Sequence, residues 1–173
     1  LKSSAISNCL EDIVRFQGVT KALSHIDHPN IVRIIETGTF NVSYGSQTWY
    51  IIMEQVDGTS LQAAFGTRRF SPDEACMIVL QVSRALEAVH RHGIIHSDIK
   101  PANLLLHQEG TTFTVKLTDF GLSRLKRMEE DVHVYETSGT YAYMPPEQAG
   151  IIRRPVDERS DLYSLGVVWY ELL

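Results

Sequence analysis

The stretch His96-Ser97-Asp98-Ile99-Lys100-Pro101-Ala102-Asn103 decides how the rest of this chain is read. The apolar run Gly93-Ile94-Ile95 leads in, and Leu104-Leu105-Leu106 leads out. Between them stand a carboxylate, a lysine two residues on and an amide five residues on. Pro101 lacks a backbone donor and disfavours helix at Lys100, which puts the polar residues on a loop. A second polar cluster, Thr118-Asp119-Phe120-Gly121, follows the apolar run Val115-Lys116-Leu117. Two polar turns, each beside a short buried strand, suit a site that holds charged ligands.

Outward from that stretch, Ser71-Pro72-Asp73-Glu74 is the strongest helix start in the chain: a Ser cap, Pro in the first turn and Glu closing a capping box. Ile78, Val82, Ala85, Leu86 and Val89 share one face of the predicted helix, and Gly93 is placed to stop it. This helix delivers the chain directly to His96. Upstream, Asn8 and Glu11 predict another capped helix, with Leu10, Ile13, Val14 and Leu23 on its apolar side and Gly18 weakening its middle. His28-Pro29-Asn30 ends it, and Ile31-Val32-Arg33-Ile34-Ile35 reads as a strand rich in β-branched residues. Asn41 to Ser46, with Tyr44-Gly45, reads as a hairpin turn into the strand Trp49-Tyr50-Ile51-Ile52-Met53. From Gly121 to Glu147 no regular pattern runs, and loops of that length are usually functional.

Composition excludes several classes. With 173 residues and 43% hydrophobic content, one domain with a sizeable core is expected. The net charge of −5 comes from both signs interspersed, so nothing points to nucleic acid or to an anionic membrane. Cys9 and Cys76 make no disulfide framework, and a reducing cytoplasm is the expected compartment. No apolar stretch reaches the length of a membrane span, and Leu1-Lys2-Ser3-Ser4 lacks a signal-peptide core. His90, His92 and His96 invite a metal reading, but no cysteine or carboxylate completes a zinc set. An apolar helical pattern still running at Leu173 leads us to expect a piece of a longer protein with further domains.

H-x-D-x-K-P-x-N at 96–103, followed by D-F-G at 119–121, resembles the catalytic core of a eukaryotic-type (Hanks-type) serine/threonine protein kinase. The resemblance implies an α+β, two-lobed kinase fold, truncated here to the small lobe from about its third strand and the large lobe as far as its central buried helix. Residues 1–54 would be the partial small lobe and 55–173 the partial large lobe. The hinge would lie near 54–58, the catalytic loop at 96–103 and the activation segment at 119–147. His28-Pro29-Asn30-Ile31-Val32 matches the family's link from regulatory helix to strand. Gly139-Thr140-Tyr141-Ala142-Tyr143-Met144-Pro145-Pro146-Glu147 matches the end of its activation segment.

Further roles follow from the same resemblance. Asp98 would orient a substrate hydroxyl and accept its proton, Lys100 would neutralise the moving phosphoryl group, and Thr140 would contact both. Asn103 and Asp119 would ligate Mg2+. ATP would be held by Lys2 at its phosphates, by Met53 at the rear of the pocket, by backbone groups of Glu54 and Val56 at adenine, and by Leu105. Lysine at position 100 points to a serine or threonine of a protein substrate as acceptor. Asp161 would brace the catalytic loop from below, and Leu23, Ile34, His96 and Phe120 would form a regulatory spine.

Three departures accompany the match. No glycine-rich lid precedes Lys2 in this stretch. Val19 stands where a glutamate should pair with the lysine, and Glu11 lies roughly 12 Å away along a helix, too far to substitute. Ser97 replaces the arginine that binds a phosphorylated activation loop. Pro145, where alanine or serine is commoner, is a milder change. The wording around Arg154-Pro155-Val156-Asp157 resembles kinase modules of large bacterial signalling proteins. An active kinase is the expected function of the parent protein, with the stretch alone expected not to transfer. A pseudokinase scaffold is the alternative.

Overall fold

The structure is a computed structural model that describes residues 3–4, 10–41, 47–110, 112–120 and 141–173. Among these, two three-stranded antiparallel sheets stand on either side of a connector at residues 54–58. The first has the order β1-β3-β2, from β1 (Ser3–Ser4), β2 (Ile34–Asn41) and β3 (Gln47–Met53). Helix α1 (Leu10–Leu23) packs beside it. The second has the order β4-β5-β6, from β4 (Thr59–Ser60), β5 (Leu104–Glu109) and β6 (Thr112–Leu117). With it go α2 (Leu61–Phe65), α3 (Pro72–His90) and α4 (Glu158–Leu172).

Helix α3 forms as its caps dictate. The Ser71 hydroxyl accepts from Glu74 N–H at 3.2 Å, and the Glu74 carboxylate accepts from Ser71 N–H at 2.8 Å, so two orphan donors are satisfied. Ala75, Ile78, Val82, Ala85, Leu86 and Val89 are all at most 1% exposed, one continuous apolar stripe. Each large side chain on it contributes about 1.5–3 kcal/mol by burial. The helix ends where Ile94 N–H turns back to the Val89 carbonyl at 3.1 Å. Gly93 carries the left-handed φ of 69° that this turn requires, so a side chain there would be strained.

The expected strand at 31–35 is corrected. Ile31 forms a parallel bridge to Leu117, Leu117 N–H donates to the Asn30 carbonyl, and Val32 N–H donates to the Leu117 carbonyl. The backbone of 30–32 is therefore committed to the second sheet, and β2 enters the first only at Ile34. The Asn30 side chain fixes this crossing by donating to Gln81 Oε1 and to the Val115 carbonyl, both at 2.8 Å. Gln81 Oε1 also accepts from Val115 N–H at 2.9 Å. The hairpin expected after β2 is present as the register Asn41↔Gln47, and its turn lies outside the described residues. Asn8, the expected capping partner of Glu11, lies outside them too.

Asp157 is the cap of α4: its carboxylate accepts from Arg159 N–H at 3.0 Å, and Ser160 closes the box. This places Asp161 in the first turn, where its side chain turns inward and is 1% exposed. No described helix is long and apolar enough to cross a membrane.

Candidate active site

The loop at 96–103 is built around that buried Asp161. Its Oδ2 accepts from His96 N–H at 2.9 Å and lies 2.8 Å from His90 Nε2, while its Oδ1 accepts from Ser97 N–H at 2.8 Å. His96 is fully buried against Phe120, with ring centroids 4.6 Å apart. Asp98 N–H donates to His96 Nδ1 at 3.2 Å, and His96 Nε2 faces the Thr118 carbonyl at 3.0 Å. Both contacts are satisfied only by the neutral imidazole carrying its proton on Nε2. Burial lowers the His96 pKa in the same direction, against the opposing pull of Asp161 and the Thr118 carbonyl.

The loop therefore presents Asp98 in one orientation. Lys100 Nζ sits 2.9 Å from Asp98 Oδ2, and Asn103 Nδ2 donates to the same oxygen at 3.0 Å and to the Asp98 carbonyl at 2.8 Å. Among the described residues both of these side-chain contacts fall on Oδ2. Pro101–Asn103 is a single 3-10 turn entered from an extended Lys100, with proline in the position where its missing N–H costs nothing. Asn103 is 4% exposed; with its amide nitrogen engaged on Asp98, its Oδ1 is the atom left to meet a cation.

The D-F-G turn is tied to this loop through Thr118, whose N–H donates to the Asn103 carbonyl at 3.0 Å. Asp119 follows at φ 64°, and Ser97 has φ 61°. A non-glycine residue in that region costs of order 1–3 kcal/mol, and such strain collects at functional sites. Among the described residues no three His, Cys, Asp or Glu side chains converge on a metal position. One carboxylate and one amide oxygen suit Mg2+, which keeps waters and shares itself with phosphate oxygens.

The connector supplies the other wall. Glu54 N–H donates to the Arg33 carbonyl at 2.9 Å, so what Glu54 can offer a ligand is its own carbonyl. Its side chain accepts from Arg33 N–H at 2.9 Å and pairs with Lys116 Nζ at 2.6 Å. Burial pushes the Glu54 pKa up, yet Lys116 and the Arg33 N–H together bring it below the usual carboxylate value. Lys116 is the cross-strand partner of Leu105, whose neighbours Leu104 and Leu106 face the core. Period-two alternation thus turns Leu105 to the same face as the Glu54–Lys116 pair. Met53 lines a cavity of about 20 Å3 with Leu23, Ile34 and Phe120, and Asp119 borders it. Val56 follows two residues after Glu54 on the same connector.

The structure thus brings Asp98, Lys100 and Asn103 into direct contact, ties Thr118, the neighbour of Asp119, to Asn103, and sets Met53 beside Asp119, while Glu54 and Val56 lie on the connector and Leu105 on β5. It also gathers the four proposed spine residues. Lys2 and Thr140 lie outside the described residues. Val19 is half-buried and packs against the apolar core. Sequence reasoning missed three elements: the Glu54–Lys116 pair, the Asn30–Gln81 amide network, and Gln148, whose Nε2 donates to the Ser97 carbonyl at 2.9 Å. Each joins residues tens of positions apart, and no local spacing could reveal it.

Comparison with known proteins agrees with this geometry. The family model of the protein kinase domain matches residues 7–173. The serine/threonine-protein kinase PknB of Mycobacterium leprae is 39% identical over 164 residues, covering 92% of this chain and 25% of that protein. A probable serine/threonine-protein kinase of Clostridium perfringens is 38% identical over 165 residues, covering 94% and 23%. The chain thus spans about a quarter of the length of these curated relatives. The crystal structure of a mutant of the Mycobacterium tuberculosis PknI kinase domain superposes with a TM-score of 0.70 at 28% identity, covering 95% of this chain and 58% of that one. On fold, loop geometry and sequence together, the chain belongs to the protein kinase family, and its relatives are bacterial serine/threonine kinases of the Hanks type.

Proposed function

We propose that this chain carries the catalytic centre of an ATP- and Mg2+-dependent serine/threonine kinase within a larger signalling protein. The observation that carries the reading is the Asp98 carboxylate, clamped on one oxygen by Lys100 and Asn103, on a loop fixed by the buried Asp161 and neutral His96. The division of labour between lobes falls at 54–58. Residues 1–54 are the partial small lobe and 55–173 the partial large lobe.

In this reading the oxygen of a substrate serine or threonine bonds to the γ-phosphorus of ATP as the bond to the β-phosphate oxygen breaks, and ADP leaves. Asp98 aligns the hydroxyl and takes its proton, a role that contributes roughly 10²–10⁴-fold. Lys100 offsets charge on the transferring group, and Thr140 supports both residues from the activation segment. Asn103 and Asp119 would hold Mg2+, which would supply charge neutralisation to the transferring phosphate. The Glu54 carbonyl and Val56 N–H meet adenine, Met53 closes the rear, Leu105 forms the floor, and Lys2 reaches the phosphates. Protein substrates and a cytoplasmic setting belong to the same proposal.

Val19 favours a second reading. An apolar side chain packed on the core cannot pair with Lys2 as a glutamate would, so the domain could serve as a pseudokinase scaffold. Incubating the intact protein with ATP, Mg2+ and a serine peptide separates the two. Phosphoserine with stoichiometric ADP, lost on chelating Mg2+, supports the kinase; retained nucleotide binding with no phosphopeptide supports the scaffold.

A further inference from the structure

We infer that Gln148 is a positioning residue for the catalytic loop, holding the Ser97 peptide from the substrate side in place of an arginine-anchored phosphate. This deepens the kinase reading and rests on it. Ser97 adopts a left-handed backbone, φ 61°, without glycine's freedom to do so, and therefore needs restraint on both sides. Its N–H is held from below by Asp161 Oδ1 at 2.8 Å. Its carbonyl receives the Gln148 Nε2 donor at 2.9 Å. The two bonds flank the torsions that set the direction of the next residue, which is Asp98.

The backbone of Gln148 is held in a tight turn. Its N–H and that of Ala149 both donate to the Pro145 carbonyl at 3.0 Å, and Ile151 N–H donates to the Pro146 carbonyl at 2.8 Å. The preceding residue, Glu147, accepts from the Ser160 hydroxyl at 2.5 Å, in the first turn of the helix that carries Asp161. One assembly, the end of the activation segment with the start of α4, therefore grips Ser97 at both its N–H and its carbonyl. A small cavity of about 10 Å3 is bordered by Ser97, Asp98, Tyr143, Met144 and Gln148. The amide orientation is fixed by chemistry, since the reverse would put oxygen against the Ser97 carbonyl. An uncharged donor from the substrate-binding side thus does in this chain what charge on position 97 cannot, since serine offers none.

The test uses the intact protein with Gln148→Met, which keeps length and removes the donor, and Gln148→Glu, whose carboxyl donates only when protonated. In Gln148→Met, hydrogen exchange at the amides of 97–100 rises about five- to tenfold, the equivalent of one lost hydrogen bond, while α3 is unchanged. Its kcat falls about tenfold or more with KM for ATP within twofold. In Gln148→Glu at pH 7.5, where a carboxyl of ordinary pKa is ionised and donates nothing, the same amides exchange faster and kcat falls. Unchanged exchange at 97–100 or an unchanged kcat overturns the inference. Exchange is read without turnover, so the role of Gln148 in holding Ser97 is judged even if wild type transfers no phosphate. That last outcome removes the kinase reading alone. If Gln148→Met fails to fold, exchange at 97–100 in Gln148→Glu decides, with lost protection expected and protection equal to wild type contradicting the inference.

Discussion

Replacing Asp161 by alanine should be among the most damaging single changes in the described structure. The carboxylate is 1% exposed and serves two backbone donors, His96 and Ser97, and the His90 ring. Alanine removes a charged acceptor from three partners at once. Hydrogen bonds to a charged group contribute about 1.5–3 kcal/mol each, and an unpaired buried donor costs about 1–3 kcal/mol. These terms overlap, and relaxation of the loop recovers part of them, so a net loss of about 3–5 kcal/mol is expected. For a domain of this size that corresponds to roughly 6–20 °C in Tm. Asp161→Asn should lose less, since one oxygen can still accept while its amide hydrogens oppose a backbone N–H. Urea denaturation of wild type, Asp161→Asn and Asp161→Ala at equal ionic strength measures the series. A loss below about 1 kcal/mol for alanine would show that the loop is held elsewhere, and the account of how Asp98 is positioned would fail with it.

Other consequences follow. Asp119→Asn should weaken Mg2+-dependent nucleotide binding because it removes a ligand charge, and isothermal titration with and without Mg2+ checks it; affinity equal to wild type argues against the assignment. Burial holds the His96 pKa below its ordinary 6.5, so below that pH the unfolded chain binds the proton the folded one refuses. Stability should then rise with pH up to about 6.5 and fall on acidification by at most about 1.4 kcal/mol per pH unit from this group. An NMR resonance of the His96 ring that titrates at 6.5 would contradict it. Replacing Tyr135, Thr137 and Ser138 together with non-phosphorylatable residues should change the rate only a few-fold, since Ser97 offers phosphate no guanidinium; a loss as large as that of Asp98→Asn would point to another basic group.

Much of this site was legible before the structure because local chemistry dictates it. The Ser71 capping box, the apolar face of α3 and the Gly93 stop are short-range signals, and each formed as its residues require. The polar loop at 96–103 was fixed by Pro101 and its apolar flanks. The start of β2 was not legible: Ile31 and Val32 are good strand residues, but their backbone groups go to Leu117, far along the chain. Asp157 and Asp161 are both of the residue type that caps helices, and only burial distinguishes the cap from the brace. Gln148 and the Glu54–Lys116 pair carry no periodic signal at all. They are created by tertiary approach, and a glutamine after two prolines and a glutamate reads as any loop residue would.

The central claim is that Asp98 receives the acceptor's proton without holding the nucleotide. Single-turnover transfer from ATP to a serine peptide, measured beside ATP affinity for wild type and Asp98→Asn in the intact protein, tests it most directly. The proposed role predicts transfer reduced about 10²–10⁴-fold with ATP affinity within about twofold. Equal transfer by both proteins, or a parallel collapse of ATP affinity, would contradict it.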